Sequence, residues 1–249
     1  MILYAHMKRL PFYRRPIFAS KILEVGGGHN PYSGVTHAVD KFPRNNAQRA
    51  GDMALVQGAK FFEGDLESLP FKNEIFDFLY VSHVFEHVNH PEKAVSEINR
   101  VSRRGYMETP SPLREQIISL GHDSHGDFHT QFSWSDQNSN TVCTLKKEET
   151  TLEKFCSCSN GQVARALCDF QKKKRQNIEP ILPGSSKTAQ IYFKTPLKLR
   201  VFQSFDEACA AGFCAYTGVK KAKLWASWPL RLSAPRFGKL MRIFSEITS

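Results

Sequence analysis

Short apolar runs alternate with polar, turn-forming or helical stretches over the first 110 residues of the chain. Ile22-Leu-Glu-Val25 runs into Gly26-Gly27-Gly28, and His37-Ala-Val-Asp40 ends in an acid. Lys60-Phe-Phe-Glu63 precedes Gly64-Asp65, Phe76–Val81 is the longest strand-like run, and Gly105-Tyr-Met-Glu108 is another. Strand-length runs separated by helical segments predict βαβ units and a parallel, doubly wound sheet. The clearest helix follows Pro91, which suits a first helical position, with Glu92 complementing the N-terminal dipole. Ala94, Val95, Ile98 and Val101 give it one apolar face; Arg100, Arg103 and Arg104 are expected to close it and Gly105 to release the chain into the next strand.

Beyond Pro110 the periodicity weakens. Residues 121–140 are polar and rich in His, Asp and Ser, and read as a long loop or lid. Residues 148–175 read as helical, Gln190–Phe193 as a strand, and Ser204-Phe-Asp-Glu207 has the spacing of a capping box that opens a short helix ended by Gly212. The expected organisation is a basic segment 1–20, an α/β domain over 21–215 with an insertion or lid around 110–190, and a basic amphipathic extension over 216–249.

With 249 residues, 41% hydrophobic and 19 Phe, the chain can fill a sizeable core, which excludes wholesale disorder. No run reaches the roughly 18 apolar residues of a membrane-spanning helix, and Met1–Pro16 lacks the apolar stretch of a signal peptide. A cytoplasmic protein with reduced thiols is expected; Cys156-Ser-Cys158 has no second Cys/His pair at finger-like spacing. The net charge of +10 divides into +4 over 1–20, −1 over 21–193 and +7 over 194–249. A neutral middle between basic ends points to an anionic partner for the ends, or to solvated tails.

Candidate chemistry gathers at the ends of the early strands. Glu24-Val-Gly26-Gly27-Gly28 is a glycine-rich turn of the kind that lets backbone come against a ligand. Asp40, at the end of the next run, can accept hydrogen bonds from both hydroxyls of a nucleoside ribose, and Asp65 from an exocyclic adenine amine. In consecutive parallel strands these features line one carboxyl edge.

Taken together, Ile22-Leu-Glu-Val-Gly-Gly-Gly-His-Asn-Pro31, Gly64-Asp-Leu-Glu-Ser-Leu-Pro-Phe71, Phe76-Asp-Phe, Ser82-His-Val-Phe-Glu-His-Val88 and Glu97-Ile-Asn-Arg-Val101 make residues 21–112 resemble the class I S-adenosylmethionine-dependent methyltransferases, within them a type-11-like bacterial group. The resemblance implies a Rossmann-like, doubly wound, mostly parallel sheet and S-adenosylmethionine as cofactor. It places the methionine end of the cofactor on Glu24, Gly26, Gly27 and Gly28, the ribose on Asp40, the adenine between Asp65 and Leu66, and Ser82 and His83 beside the cofactor. Two departures stand out. Asn30 occupies the usual third-glycine position, where its tolerance of left-handed backbone would let it serve. The stretch between Asn30 and Asp40, with Pro31 and Gly34, is too short for a full first helix.

His83-Val-Phe-Glu86-His87 also spells H-x-x-E-H, a zinc-peptidase pattern that needs a helix. Here it follows a strand directly and Pro91 comes four residues later, so no metal is assigned. His87 is a candidate general base or a structural histidine. His122, His125 and His129, with Asp123 and Asp127, read as part of a lid over the acceptor, with His125 and His129 as candidate proton acceptors. Phe237, Leu240, Met241 and Phe244 with Arg236, Lys239 and Arg242 make 236–247 a basic amphipathic helix, suited to the domain's own core or to peripheral membrane contact. The expected activity is methyl transfer to a small-molecule or glycan acceptor, at oxygen. The alternatives are an RNA methyltransferase using the basic ends, the less favoured partner because the Lys/Arg clusters lack interleaved aromatics, and a non-catalytic module that keeps the fold.

Overall fold

A computed structural model describes residues 19–45, 52–112, 114–115, 130–136, 139–147, 188–211 and 213. The expectations for the N-terminal segment, the 148–175 helix, the 236–247 helix, and His122, His125 and His129 lie outside these residues.

The sheet strands are β1 (Ile22–Val25), β2 (His37–Asp40), β3 (Lys60–Glu63), β4 (Phe78–Ser82) and β5 (Arg104–Pro110), with β8 (Thr188–Lys194) beyond β5. The order is β3-β2-β1-β4-β5-β8. β1 runs parallel to β2 and β4, β2 to β3, and β4 to β5. The mostly parallel, doubly wound order expected from the alternation is therefore present, and its order reverses beside β1. A second, three-stranded sheet has the order β6-β7-β9, from β6 (Gln131–Asp136), β7 (Thr141–Lys146) and β9 (Lys198–Phe202).

Alternation along the parallel strands separates two faces. Leu23, Val25, Leu79, Val81 and Met107 point to one core, which also takes Ala94, Val95, Ile98 and Val101 of α1 (Pro91–Val101). Ile22, Phe78, Tyr80 and Tyr106 form the other with Tyr32 and Val35. On that second face the rings of Tyr32, Tyr80, Tyr106 and Tyr192 follow one another at centroid spacings of 5.6, 5.1 and 4.8 Å. Burial on both faces explains why these strands read as continuous apolar runs.

The structure changes three expectations. The short stretch between β1 and β2, which left room for a shortened helix, carries none: residues 26–36 run as turns and bends. α1 ends at Val101, so Arg103 and Arg104 do not close it; β5 starts at Arg104 and includes the expected run from Gly105. A Cβ at Gly105 would stand 2.3 Å from the Leu79 carbonyl oxygen and 2.5 Å from the Phe193 ring, so close strand packing is what requires glycine there. Residues 131–136 are a strand, not loop: Phe132 and Trp134 alternate with Ser133 and Ser135 at strand period. The Ser204 cap is as expected, accepting from Glu207 N at 3.2 Å. It opens α2 (Phe205–Ala210), although the Glu207 carboxylate accepts from Gln203 N and not from the cap residue itself.

Contacts divide the chain into two compact units. The first comprises Met1–Thr109, Ser135–Thr144 and Gln190–Arg200; the second Pro110–Trp134, Leu145–Ala189 and Val201–Ser249. The first holds the parallel strands and α1. In the second, Phe213 packs edge-on against Trp134 at 4.8 Å and Phe205 at 5.7 Å, and Trp134 stacks on Phe202 at 5.3 Å.

Candidate functional site

Parallel register brings the carboxyl ends of β1 to β5 to one edge. Val25 stands opposite Val39 and Val81, Asp40 opposite Glu63, and Ser82 opposite Glu108. The turn after Val25, Asp40, the Gly64-Asp65 turn after β3, and Ser82-His83 therefore share the edge at which open α/β sheets bind ligands.

Gly26 and Gly28 both take positive φ, 72° and 55°. The Gly26 N–H donates to the Val39 carbonyl at 2.8 Å, and the Gly28 carbonyl accepts from Ala54 N at 2.9 Å. Beyond its backbone angle, Gly26 leaves room for Val84, whose Cγ2 would stand 2.1 Å from an added Cβ; at Gly27 an added Cβ would stand 2.8 Å from Glu24 Oε2. The tightness of the turn thus comes from the β4 loop on one side and the Glu24 carboxyl on the other. Glu24 is 1% exposed and its two oxygens accept from Tyr32 N at 3.1 and 2.9 Å, closing the turn on itself. Burial pushes its carboxyl up to about 8 against the single backbone donor that lowers it.

Asp40 Oδ1 accepts from Phe42 N at 2.8 Å. Burial raises the Asp65 carboxyl, but the Glu67 N–H at 3.0 Å and Lys41 Nζ at 2.6 Å outweigh it and leave Asp65 below the usual carboxylate range. Leu66, next to it, is 1% exposed. The loop that carries both is strapped to α1. Leu69 N donates to Glu97 Oε2 at 2.6 Å, and Arg100, paired with Glu97, donates to the carbonyls of Phe71 and Leu69 at 2.5 and 3.0 Å.

After β4 the chain turns at His83, which has φ 56° and donates its N–H to the Glu108 carbonyl at 2.8 Å. Its ring lies between two buried carboxylates, Nδ1 3.4 Å from Glu86 Oε1 and Nε2 3.4 Å from Glu108 Oε1. Glu108 further accepts from Tyr106 Oη and, at 2.7 Å, from Gln190 Nε2. Burial alone would lower the His83 imidazole, yet the two carboxylates overturn that and push it up to about 9. The segment that spells the zinc pattern forms only a 3-10 turn, Phe85–His87. His87 is half-buried in that turn, its N–H donating to Val84 O at 2.9 Å.

Sequence reasoning placed Glu24, Gly26–Gly28, Asp40, Asp65, Leu66, Ser82 and His83 in order, and parallel register gathers the strand ends that carry them. It missed the pairing of His83 with Glu108. An acid within the apolar strand Tyr106-Met-Glu-Thr109 was the available signal. Asn30 is not in the left-handed region, so the expected reason for its place beside the turn does not hold. Its Oδ1 is buried without a hydrogen-bond partner among the described residues, as is the hydroxyl of Ser82. Unsatisfied buried acceptors and donors beside the glycine turn, with acids at the next two strand ends, fit the amino-acid and nucleoside ends of S-adenosylmethionine.

Residues 32–107 match the family model described as methyltransferase domain. No curated protein matches the chain. Among solved structures, an S-adenosylmethionine-dependent methyltransferase from Thermotoga maritima is similar at 22% identity, with a TM-score of 0.37, over 51% of this chain and 59% of that one. One from Mesorhizobium loti is similar at 18% identity, TM-score 0.29, over 39% of this chain and 49% of that one. The aligned part thus spans about half the length of these structures. By its family match the stretch 32–107 is a methyltransferase domain, and it lies within the mostly parallel, doubly wound sheet expected of the class I fold.

Proposed function

We propose that the chain transfers a methyl group from S-adenosylmethionine to a small-molecule or glycan acceptor at oxygen. The observation that carries the reading is the shared carboxyl edge on which the Gly26–Gly28 turn, Asp40, Asp65 and Ser82 stand in consecutive strand order. In this reading Glu24 and the glycine turn receive the amino-acid end, Asp40 the ribose hydroxyls, and Asp65 with Leu66 the adenine. The cofactor supplies an electrophilic methyl group on a sulfonium whose leaving thioether is neutral. The protein's task is then chiefly to hold the acceptor atom behind that methyl and to keep water out.

A hydroxyl acceptor also has to give up a proton. His83 is not the group that takes it at neutral pH, because the flanking Glu108 and Glu86 keep its ring protonated. That leaves His87 on the adjoining turn, with His125 and His129 as further candidates. Calorimetry with S-adenosylhomocysteine tests the donor site: saturable heat in the wild type is expected, and Asp40→Ala is expected to weaken binding about tenfold or more through loss of a charged acceptor. Label transfer from methyl-tritiated S-adenosylmethionine to mixed small hydroxylated acceptors, to glycans and to total RNA then tests the acceptor class. Absence of heat overturns the donor site, and labelling confined to RNA overturns the acceptor class.

A further inference from the structure

Asn30 follows the glycine turn, with its N–H donating to the Gly27 carbonyl at 3.0 Å, and Pro31 comes next. Its backbone φ lies outside the left-handed region, so nothing in the backbone requires Asn rather than another residue. The side chain carries an oxygen that is buried and has no hydrogen-bond partner among the described residues. A buried amide oxygen left without a donor is destabilising, so such atoms in folded proteins ordinarily have a use. An amide oxygen can only accept, and therefore calls for a donor. At the glycine turn the donor that the proposed reading brings is the α-ammonium of the amino-acid end of S-adenosylmethionine, which offers three N–H groups.

Ser82 supplies an independent observation at the same edge. It is 6% exposed and its hydroxyl also has no partner among the described residues. Val81 is paired with Val25, so Ser82 stands level with the start of the glycine turn. Two orphaned polar atoms on the elements that flank the turn point to one polar ligand group. The alternative, water held by either atom, would leave donor binding indifferent to residue 30.

We infer that Asn30 is a donor-binding residue of this chain, its side-chain oxygen accepting a hydrogen bond from the α-ammonium of S-adenosylmethionine, a role carried by a side chain where the family pattern has glycine. This rests on the proposed methyltransferase reading. The test is calorimetry on the full chain with two probes, S-adenosylhomocysteine and 5′-methylthioadenosine, which lacks the amino-acid end. Asn30→Gly, which restores the family pattern, is expected to weaken S-adenosylhomocysteine about tenfold or more, the size of a hydrogen bond to a charged group. Binding of 5′-methylthioadenosine should stay unchanged. Asn30→Asp, which keeps an acceptor in place, should retain S-adenosylhomocysteine affinity and guards against a Gly variant that folds poorly. Equal affinity of Asn30→Gly and wild type for S-adenosylhomocysteine overturns the inference, as does equal weakening of both probes. A wild type that binds neither probe overturns the methyltransferase reading itself.

Discussion

At the scale of single residues, the carboxyl edge of the sheet stores two protonation states that folding itself creates. Glu24 titrates at 4.5 in the absence of the fold and is pushed up to about 8 by burial; His83 moves from 6.5 to about 9 under Glu86 and Glu108. Both groups bind protons more tightly folded than unfolded, so both contribute stability that is lost as pH rises. For Glu24 the contribution is complete below pH 4.5 and gone above about 8; for His83 it is complete below pH 6.5 and gone above about 9. The thermal midpoint of the protein is therefore expected to fall as pH rises from 4.5 to about 9. Glu24→Gln should flatten the lower part of that slope. His83→Asn, chosen because asparagine tolerates the positive φ, should flatten the upper part. Melting curves at half-unit pH steps check this, and slopes identical in all three proteins would contradict it. Tyr106 adds nothing to the slope in this range, because burial and the Glu108 carboxylate hold its phenol protonated far above ordinary values.

Among the elements, the loop that bears Asp65 and Leu66 owes its course to α1 as much as to β3. Arg100 holds the Leu69 and Phe71 carbonyls while Glu97 holds the Leu69 N–H. Asn99, on the same helix, bonds reciprocally with the backbone of Leu197, at 2.9 and 2.7 Å. One helix thus anchors the chain on either side of the sheet's centre. Replacing Arg100 by Met keeps the stem and removes the donors, leaving two carbonyls and a carboxylate short of partners. The expected loss is about 1–3 kcal/mol of unfolding free energy, with weaker S-adenosylhomocysteine binding because Asp65 is less well held. Chemical denaturation and calorimetry on the same sample read both. A loss of stability with donor affinity untouched would show that the strap does not act on donor binding. Gly105→Ala tests a different interface, since the neighbour it meets is strand backbone at Leu79 and cannot give way as a side-chain tip can. Overpacking there is expected to cost at least about 1–3 kcal/mol, seen as a lower denaturation midpoint with the slope unchanged.

Across the whole molecule, what could be read from the sequence is what strand periodicity and strand-end chemistry encode. β2 and β3 lie where His37–Asp40 and Lys60–Glu63 were expected, because each run is bounded by turn residues and ends in an acid. The buried stripe of α1 was legible because Pro91 fixes its start and its four apolar residues share one face. The acid in the apolar strand β5 was visible, but its pairing with His83, just past the end of β4, depends on the register between β4 and β5, which no local pattern records. Nor was the Asn30 oxygen legible as buried and unpartnered among the described residues, because a turn asparagine looks the same in sequence whether or not its side chain is satisfied. The strand at 131–136 was hidden because serines occupy its alternate positions and lower its mean hydropathy. The charge distribution yields the last prediction. The net charge of +10 comes from the ends, while 21–193 sum to −1, so any attraction for RNA should be electrostatic and independent of the donor site. Single-stranded RNA is expected to bind at about 50 mM salt and to be lost by about 200 mM, along a steep logarithmic salt slope, with an affinity that S-adenosylhomocysteine leaves unchanged. Filter binding across that salt range, with and without S-adenosylhomocysteine, separates the cases. RNA binding that survives at 200 mM salt and tightens when the donor site is filled would point to nucleic acid as the acceptor, since an acceptor held beside the donor pocket couples to its occupancy.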